Sequence, residues 1–554
     1  MNRFRALLPL WIGLALVTTA NSQEQLKKYW QTRFGGQEMQ VRDVEGLTQR
    51  IVDGKLHLHL KDFFALVLQN APDIQLTRLD VYTPANELIS ARAPFNPALN
   101  LSFNAVRSVS PLSYSISGSP SGGQFTLPQT INSLSQTSTL DYQQLLPTGQ
   151  KFESTFTGYR SSGDGYPYPS LFGVLNFQIT QPLLQNRRNL QYLTPIRVAR
   201  TEILISAKQS EATITTAIAQ YAQQYWDAIL ARENIRVDQQ ALDLARKSYD
   251  HDKQALDLGA ISKLDIFQSE TQVAERERDL VQAQYQYKVL LDGLRRLIGA
   301  DLTPEMRSTE IVLDDDPSAL PDKSVILPFE QALEKALKAR PEAAAASAAV
   351  TVDDLNARAS RDQLLPRLDL GLQGGSSGPG LNQLSLGGVV GLTSVTPTPG
   401  LGPTLQQVLN FSYPTYGFSV SATFPFHNST AQASLADALV NRARDRYRQR
   451  QTQEQITLDV RQAIHSLELA DATILAAVRA RDFARENVDA EQQKYQLGSI
   501  TAFELLDSQS RLASSESALV TAYVSYQEAY VSYERATQTL LDAFGMVVNL
   551  PKMN

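Results

Sequence analysis

Side chains capable of acid–base, nucleophilic or metal chemistry are few in this chain and lie far apart. The sequence has no cysteine, so we expect no disulfide, no thiolate metal site and no lipidated N-terminal cysteine. Only two of the histidines are close together, and the five are His57, His59, His251, His427 and His465. The sequence has no glycine-rich phosphate loop and no carboxylate–histidine spacing typical of a metal site. We therefore predict that the protein is not an enzyme and needs no cofactor or metal ion.

Two short stretches of similar sequence each combine a glycine, a hydroxyl side chain and an acid at the same spacing. They are LDLGAISKLDIFQ, from Leu256 to Gln268, and YQLGSITAFELLD, from Tyr495 to Asp507. Glycine allows the left-handed backbone that ends a helix, the hydroxyl side chain is a good N-cap, and an acid three residues later completes a capping box. The corresponding residues are Gly259 and Gly498, Ser262 and Thr501, and Asp265 and Glu504. Each stretch therefore predicts a tight tip between two helices, at 258–262 and 497–501.

Long helical patterns enter and leave both tips. The entering helices are predicted over 189–257 and 429–496, and the returning helices over 262–298 and 501–544. In the entering helices apolar residues recur every seven positions, with Arg481 as one charged exception, and this repeat is typical of supercoiled helices. A helix of ~67 residues is about 100 Å long, which is several times the width of a small domain.

Ahead of each long helix the apolar pattern changes from a helical period to strict alternation. This alternation predicts four strands, at 97–108, 172–182, 366–375 and 415–425. Apolar residues on one face and small polar residues on the other, over about ten residues, are typical of transmembrane β-strands. A half-buried sheet of a soluble protein is the alternative, but the N-terminal signal and the long helices favour membrane strands.

The same order of helix, two strands, long helix, tip and return helix occurs twice. The two halves are 57–299 and 327–545, and a short segment ending in Pro and an acid, Pro72-Asp73 or Pro341-Glu342, matches between them. The remaining segments are a predicted signal peptide at 1–22, an N-terminal extension of unassigned role at 23–56, a linker at 300–326 and a C-terminal tail at 546–554. The acidic run of the linker, residues 314–316, is interpreted as a solvated loop.

The first half carries an insertion relative to the second, corresponding roughly to Ser138–Arg160. Its two strand-like runs flank the turn Leu146–Gly149. Because Gln144 and Ser154 would fall on the lipid-facing side, we predict an extracellular hairpin that is dispensable for assembly. Extra wall strands are the alternative.

Composition and strand number limit how such a chain meets a membrane. The 554 residues are 43% hydrophobic and carry a net charge of −6, an ordinary folded composition that does not point to nucleic acid. After the signal, no apolar run approaches the ~20 residues of a spanning helix, so a membrane part must consist of strands. Four strands cannot close a barrel, so strands from several subunits must be combined.

The sequence resembles the TolC-like outer-membrane efflux proteins over nearly all of the predicted mature chain. The features that carry this resemblance are the doubled unit, the strand end Gln181-Pro182-Leu183 and the two LGxxS/T tips. The resemblance implies an α+β membrane protein: a homotrimer with a twelve-stranded outer-membrane barrel, continued into the periplasm by an α-helical coiled-coil tunnel. It implies the exit duct of a tripartite efflux or type I secretion system, with a periplasmic adaptor (membrane fusion protein) and an inner-membrane pump as partners. A secreted coiled-coil structural or adhesive protein is the alternative.

The resemblance also implies roles for residues at the tips. Glu504 and Asp507 match the acids at the tunnel constriction of the family, although Glu504 could simply cap its helix. Asp265 and Tyr495 match two partners of the family's closing link, and Ile500 stands where the family has an arginine. The residues implied in adaptor docking are Leu258, Gly259, Ser262, Leu497, Gly498 and Thr501.

Overall fold

A computed structural model describes most of the chain from residue 50 to residue 545. The ranges outside this description are 112–129, 165–168, 259–261, 303, 322–325, 381–382, 386–393, 397–399 and 498; before residue 50 only positions 41, 44, 46 and 47 are described. The predicted signal peptide and C-terminal tail therefore lie outside the described residues, and both remain predictions.

Helices account for most of the described chain. They are α1 (Leu60–Asn70), α2 (Pro72–Leu79), α3 (Tyr82–Arg92), α4 (Leu190–Asp257), α5 (Lys263–Leu297), α6 (Phe329–Ala339), α7 (Pro341–Asp362), α8 (Leu401–Leu409), α9 (Ser429–Gln496), α10 (Ala502–Ala536) and α11 (Leu540–Ala543). Within the described ranges, no helix has the length and apolar character needed to cross a membrane.

Within the described residues, the strands form one large sheet and two small ones. They are β1 (Ile51–Val52), β2 (Lys55–Leu58), β3 (Ala98–Pro111), β4 (Thr130–Leu145), β5 (Lys151–Gly163), β6 (Ser170–Pro182), β7 (Glu310–Leu313), β8 (Arg367–Gly380), β9 (Gln383–Ser385), β10 (Ser394–Thr396) and β11 (Tyr413–Thr423). The large sheet is antiparallel throughout, in the order β11-β8-β6-β5-β4-β3.

The register of the large sheet gathers its apolar residues on one face. Phe152 pairs with Ile179, Ile179 with Leu372, and Leu372 with Phe418. Because side chains alternate across a strand, these residues share a face, which we call the apolar face. The opposite face carries mainly small polar side chains, such as Asn176 opposite Thr155. This is the two-sided pattern expected for a wall between lipid and water.

The prediction of four strands in this sheet is wrong, because β4 and β5 pair along their lengths between β3 and β6. The turn Leu146–Gly149 does not project from the far end of the sheet. It lies at the end from which the helices continue, where Asn189 Nδ2 donates to the carbonyl of Pro147 at 3.2 Å. Deletion of this hairpin should therefore remove two wall strands and not an extracellular projection.

The two long helices have the same length, and so do the two return helices. The entering helices α4 and α9 each have 68 residues, and α5 and α10 each have 35. Many of the seven-residue-repeat positions are buried, including Ile214, Ala228 and Val460, which are fully inaccessible. Two polar bonds cross from α10 to α4: Gln509 Nε2 to Ser248 Oγ at 3.0 Å, and Ser517 Oγ to Asn234 Oδ1 at 2.9 Å.

Part of the linker joins a sheet, while the acidic run that follows this strand lies in a loop, as interpreted, with Asp314 and Asp316 exposed. Strand β7 pairs in parallel with β2, in the order β1-β2-β7. Asp314 Oδ2 lies 3.0 Å from Nδ1 of His57, and Asp315 Oδ1 lies 2.9 Å from Nδ1 of His59. The buried Tyr225 on α4 donates to the other carboxylate oxygen of Asp315 at 2.8 Å. The acids and both histidines of the close pair thus hold the linker to the N-terminal strand.

This contact predicts a pH dependence of stability. The hydrogen bond to Asp315 raises the pKa of His59 above its usual value. A raised histidine pKa means that the stabilisation is complete below about pH 6.5 and is lost as the pH rises through the folded-state pKa. Because the His59 side chain is 58% exposed, the contribution should be below about 1 kcal/mol. We expect the wild-type melting temperature to fall slightly from pH 6 to pH 8.

In the His59→Gln variant the melting temperature should change less between pH 6 and pH 8. Thermal unfolding of the intact protein, followed by circular dichroism, measures this change. His465→Gln is the matched control, because His465 is exposed on α9. If the melting temperature of His59→Gln falls with pH as steeply as that of the wild type, the His59–Asp315 pair does not stabilise the protein.

Candidate functional site at the helical tips

The two long helices end at their tips with the same backbone geometry. Leu258 has φ −84° and ψ −2°, and Leu497 has φ −84° and ψ −1°. Each donates its N–H to the carbonyl four residues earlier, at 3.1 Å to Gln254 and 3.2 Å to Gln493. Positions 259 and 498, where glycine is predicted to end each helix, lie outside the described residues, and that role remains a prediction.

The second tip opens α10 with the predicted capping box. Glu504 N donates to Thr501 Oγ1 at 3.4 Å, and Thr501 N donates to Glu504 Oε2 at 3.1 Å. The carboxylate of Glu504 therefore satisfies a backbone donor at the helix start, as the capping alternative expects. Glu504 is exposed as well, so its charge remains available to a pore.

Both tips present large apolar side chains to solvent. Leu258 is 85% exposed, Leu497 83% and Phe503 67%. Large apolar side chains that are this exposed often mark a surface that binds another protein. The tips of the long helices are therefore candidate interaction surfaces. Ser262 and Thr501, the other described residues implied in docking, are exposed as well.

A buried carboxylate joins three helices just above the tips. Asp252 on α4 is 1% exposed and accepts hydrogen bonds from Tyr495 Oη on α9 and from Ser269 Oγ on α5. His251 Nδ1 lies 3.6 Å from the same carboxylate, and its ring centroid is 5.4 Å from that of Tyr495. We call Asp252, Ser269 and Tyr495 the Asp252 network. Of its two bonds, only that of Tyr495 connects the α4/α5 pair to the α9/α10 pair.

Tyr495 is thus brought into a link between the helix pairs, but through a residue that sequence analysis missed. The side chain of Asp265 lies outside the described residues, so its pairing with Tyr495 remains a prediction. A signal for Asp252 was available, since it stands seven residues after the buried Ala245, at a position of the repeat that normally takes an apolar side chain.

The α9/α10 pair is also tied internally near its tip. Ser508 Oγ on α10 donates to the carboxylate of Glu491 on α9, and Asn487 Nδ2 on α9 donates to Ser508 Oγ at 3.2 Å. These bonds favour movement of α9 and α10 as one unit.

Asp507, the second predicted constriction acid, is not an isolated charge. Its carboxylate accepts a hydrogen bond from Arg511 Nε at 2.8 Å, one helical turn further along α10. Asp507 is 49% exposed and Arg511 74%. The described α10 surface near the tip thus carries two acids and one base, not two acids alone, and its charge is reduced accordingly.

Comparison with known proteins finds a match to one family model. The family model described as outer membrane efflux protein matches residues 167–300 and 332–537, which is more than half of the chain. No curated protein matches the chain.

Several solved structures share the fold. CusC, whose structures concern folding and transmembrane channel formation, is 16% identical, with a TM-score of 0.60 over 90% of this chain and 95% of that one. The Campylobacter jejuni CmeC outer membrane channel is 13% identical, with a TM-score of 0.59 over 91% of this chain and 94% of that one. The Neisseria gonorrhoeae MtrE outer membrane channel, in its open state, is 18% identical, with a TM-score of 0.57 over 87% and 89%.

Proposed function

Because the chain belongs to the outer membrane efflux protein family, we propose that it is the exit duct of a tripartite efflux or type I secretion system. The single observation that carries this proposal is the combination, in one chain, of a two-faced antiparallel sheet and two pairs of long helices. A sheet of this kind suits a lipid-spanning wall, and helices of about 100 Å suit a duct that reaches across the periplasm.

The edges of the sheet support assembly into a closed ring. In the described part of the chain, β3 and β11 each pair on one side only. Both expose apolar side chains, with Leu101 65% and Phe418 75% accessible. Lipid does not tolerate an unpaired strand edge, so β3 of one copy should pair with β11 of the next. In a homotrimer, three copies of six strands make eighteen, in place of the twelve that the family resemblance implies.

The tips supply the surface for the periplasmic partner. Leu258 and Leu497 occupy equivalent positions with nearly equal exposure, so a periplasmic adaptor can meet both hairpins of a subunit in the same way. An adaptor docked there would connect the duct to an inner-membrane pump. The gate of the duct, in this proposal, is the α9/α10 pair, which the Asp252 network holds to α4/α5 together with the Gln509–Ser248 and Ser517–Asn234 bonds.

The charges of α10 near the tip should set the ion selectivity of the constriction. Neutralising Glu504 and Asp507 as Glu504→Gln with Asp507→Asn should lower the cation-to-anion permeability ratio by about two- to fivefold, because their carboxylates attract cations. Arg511→Gln should raise the ratio, because it removes the base beside Asp507. Reversal potentials of single channels in a salt gradient measure both effects.

Glu454→Gln and Arg446→Gln are the matched controls, since both residues are exposed on α9 far from its tip. Unchanged selectivity in the double acid variant would show that Glu504 and Asp507 do not line the constriction.

The proposed function is tested on the full-length protein extracted from outer membranes. We expect a heat-resistant trimer that forms conducting pores in planar bilayers, and a strain lacking the protein should lose export of the substrates of its pump. Water-soluble trimers without conductance would instead indicate a secreted coiled-coil protein.

A further inference from the structure

Helix α8 lies on the apolar face of the large sheet, although the chain connects it to the far ends of β8 and β11. Its Thr404 and Val408 are buried, at 4% and 0% exposure. They sit over Gly173 of β6 and Gly378 of β8, which are direct partners in the sheet. Just past the helix, Phe411 stacks on Phe177 of β6, with ring centroids 6.4 Å apart and planes 12° from parallel.

The seat of α8 depends on the two glycines. A β-carbon at position 173 would lie 3.0 Å from Cγ2 of Thr404 and 3.2 Å from Cγ2 of Val408. A β-carbon at position 378 would lie 2.8 Å from Cγ2 of Val408 and 2.5 Å from the carbonyl oxygen of Thr404. Larger residues in β6 and β8 would displace the helix, so the glycine pair is a fitted site for it.

The exposed apolar residues of α8 flank its sheet-facing residues and belong to the same apolar face of the helix. Leu401, Leu405 and Leu409 follow one another at four-residue intervals and are 56%, 39% and 67% exposed. Residues at this spacing form one stripe along a helix. The stripe continues the apolar face of the sheet, on which Leu372 and Phe418 are also exposed. Gln406, on the opposite side, is polar and exposed, so α8 is amphipathic and its apolar face extends beyond the sheet contact along the leucine stripe.

An arginine stands on the same face at the level of α8. Arg160 of β5 pairs with Leu171 of β6, so Gly173 is its diagonal neighbour, about 7–8 Å away. Arg160 is exposed, and its Nη1 donates to Gln136 Oε1 at 3.1 Å. It lies three residues from the end of β5, on the side of the sheet remote from the long helices. A cation on a lipid-facing wall is tolerated there, close to the headgroups.

We propose that α8 and Arg160 form a binding site for an anionic, phosphorylated lipid of the outer leaflet. The leucine stripe of α8 contacts the acyl chains, and Arg160, oriented by Gln136, pairs with the phosphate. This assignment rests on the proposed function, since it takes the apolar face as the lipid-facing side of the barrel. The occupant is a lipid because the stripe is continuous with that face and the arginine adds charge complementarity at headgroup depth.

The site is tested with the full-length trimer in phosphatidylcholine nanodiscs, offered either lipid A or dephosphorylated lipid A. Native mass spectrometry counts the lipid retained. We expect the wild-type protein to retain lipid A at least fivefold more than the dephosphorylated form. Leu401→Ser/Leu405→Ser/Leu409→Ser and Arg160→Gln should each reduce retention at least fivefold, while Leu401→Met/Leu405→Met/Leu409→Met and Arg160→Lys should preserve it.

A displaced helix provides a second measurement. Gly173→Val should unseat α8 and reduce lipid A retention without changing the strand register. Equal retention of lipid A by the serine triple variant and the wild type would overturn the proposal, as would equal retention of the two lipids by the wild type. Recovery of a protein on α8 in place of lipid would overturn it as well. Conductance is recorded on the same samples, so loss of lipid binding in conducting trimers separates failure of this site from failure of the proposed channel function.

Discussion

Tyr495→Phe should raise the open probability of the channel by about tenfold or more. The substitution removes the one hydroxyl of the Asp252 network that joins the two helix pairs, and the buried Asp252 loses a hydrogen bond. A hydrogen bond to a charged group contributes about 1.5–3 kcal/mol, and 1.4 kcal/mol corresponds to a factor of ten in an equilibrium. Single-channel recording of the full-length trimer measures the change.

Ser269→Ala is the informative comparison for this variant. Ser269 donates to the same carboxylate, but from α5, within the same helix pair as Asp252. Its loss should disturb the carboxylate without separating the pairs, so open probability should change much less. Tyr447→Phe, at an exposed position of α9, controls for removal of a tyrosine hydroxyl. Equal effects of Tyr495→Phe and Ser269→Ala would exclude a gating role specific to the bond between pairs.

Removing residues 130–163, which form β4 and β5, should narrow the barrel while leaving the trimer able to assemble. In the present register, Leu101 of β3 and Leu175 of β6 lie in the same row of cross-strand partners, with one residue each of β4 and β5 between them. Direct pairing of β3 with β6 would therefore keep the apolar residues on one face. The diameter of a barrel grows roughly linearly with strand number, so twelve strands in place of eighteen should reduce it to about two thirds.

Exclusion of polymers of graded size, added from the outer side of the bilayer, measures the width of the barrel. Deletion of residues 116–125 alone is the matched control, because it shortens the chain without removing β4 or β5. An unchanged size limit in assembled trimers would show that β4 and β5 do not belong to the pore wall. Failure to assemble would show that β3 cannot take a place beside β6.

The error in strand number shows a limit of alternation as a signal. Gln144 and Ser154 fall on the apolar face, and each makes its strand look unsuited to lipid when considered alone. In the sheet, Gln144 accepts a hydrogen bond from Tyr142 at 2.8 Å, and Ser154 lies opposite Tyr142 and Phe177. Both polar side chains are thus flanked by large aromatic neighbours. The sequence alone does not reveal these neighbours, because they depend on which strands pair and in which register.

The tips were more predictable than the contacts between them. A capping box is a local feature of four consecutive residues, so Thr501 and Glu504 could be assigned from sequence, and the structure confirms the capping box. The bond between Tyr495 and Asp252 spans 243 residues and depends on how the two helix pairs are packed. Resemblance to a family pointed to Tyr495, while the buried acid of this chain became visible only in three dimensions.

The acidic run of the linker shows the same limit in another form. A row of three acids is usually solvated, yet two of these pair with histidines more than 250 residues earlier. The alternation of His57 and His59 around a leucine is itself the strand pattern of β2, with Leu58 fully buried between them. The histidine pair and the acidic run were each visible in the sequence, but their complementarity was not.

The pairing of β2 with β7 has a consequence for the order of folding. Lys55 and Glu310 are partners, so the N-terminal strand cannot complete its sheet until the chain as far as β7 has been made. At a synthesis rate of about 5–20 residues per second, this interval is roughly 13–50 s. Throughout it, Leu56 and Leu58, which are buried in the finished sheet, have no β7 to cover them. The β1–β2 pair therefore remains an incomplete sheet with an open edge for longer than a sheet formed by neighbouring segments would.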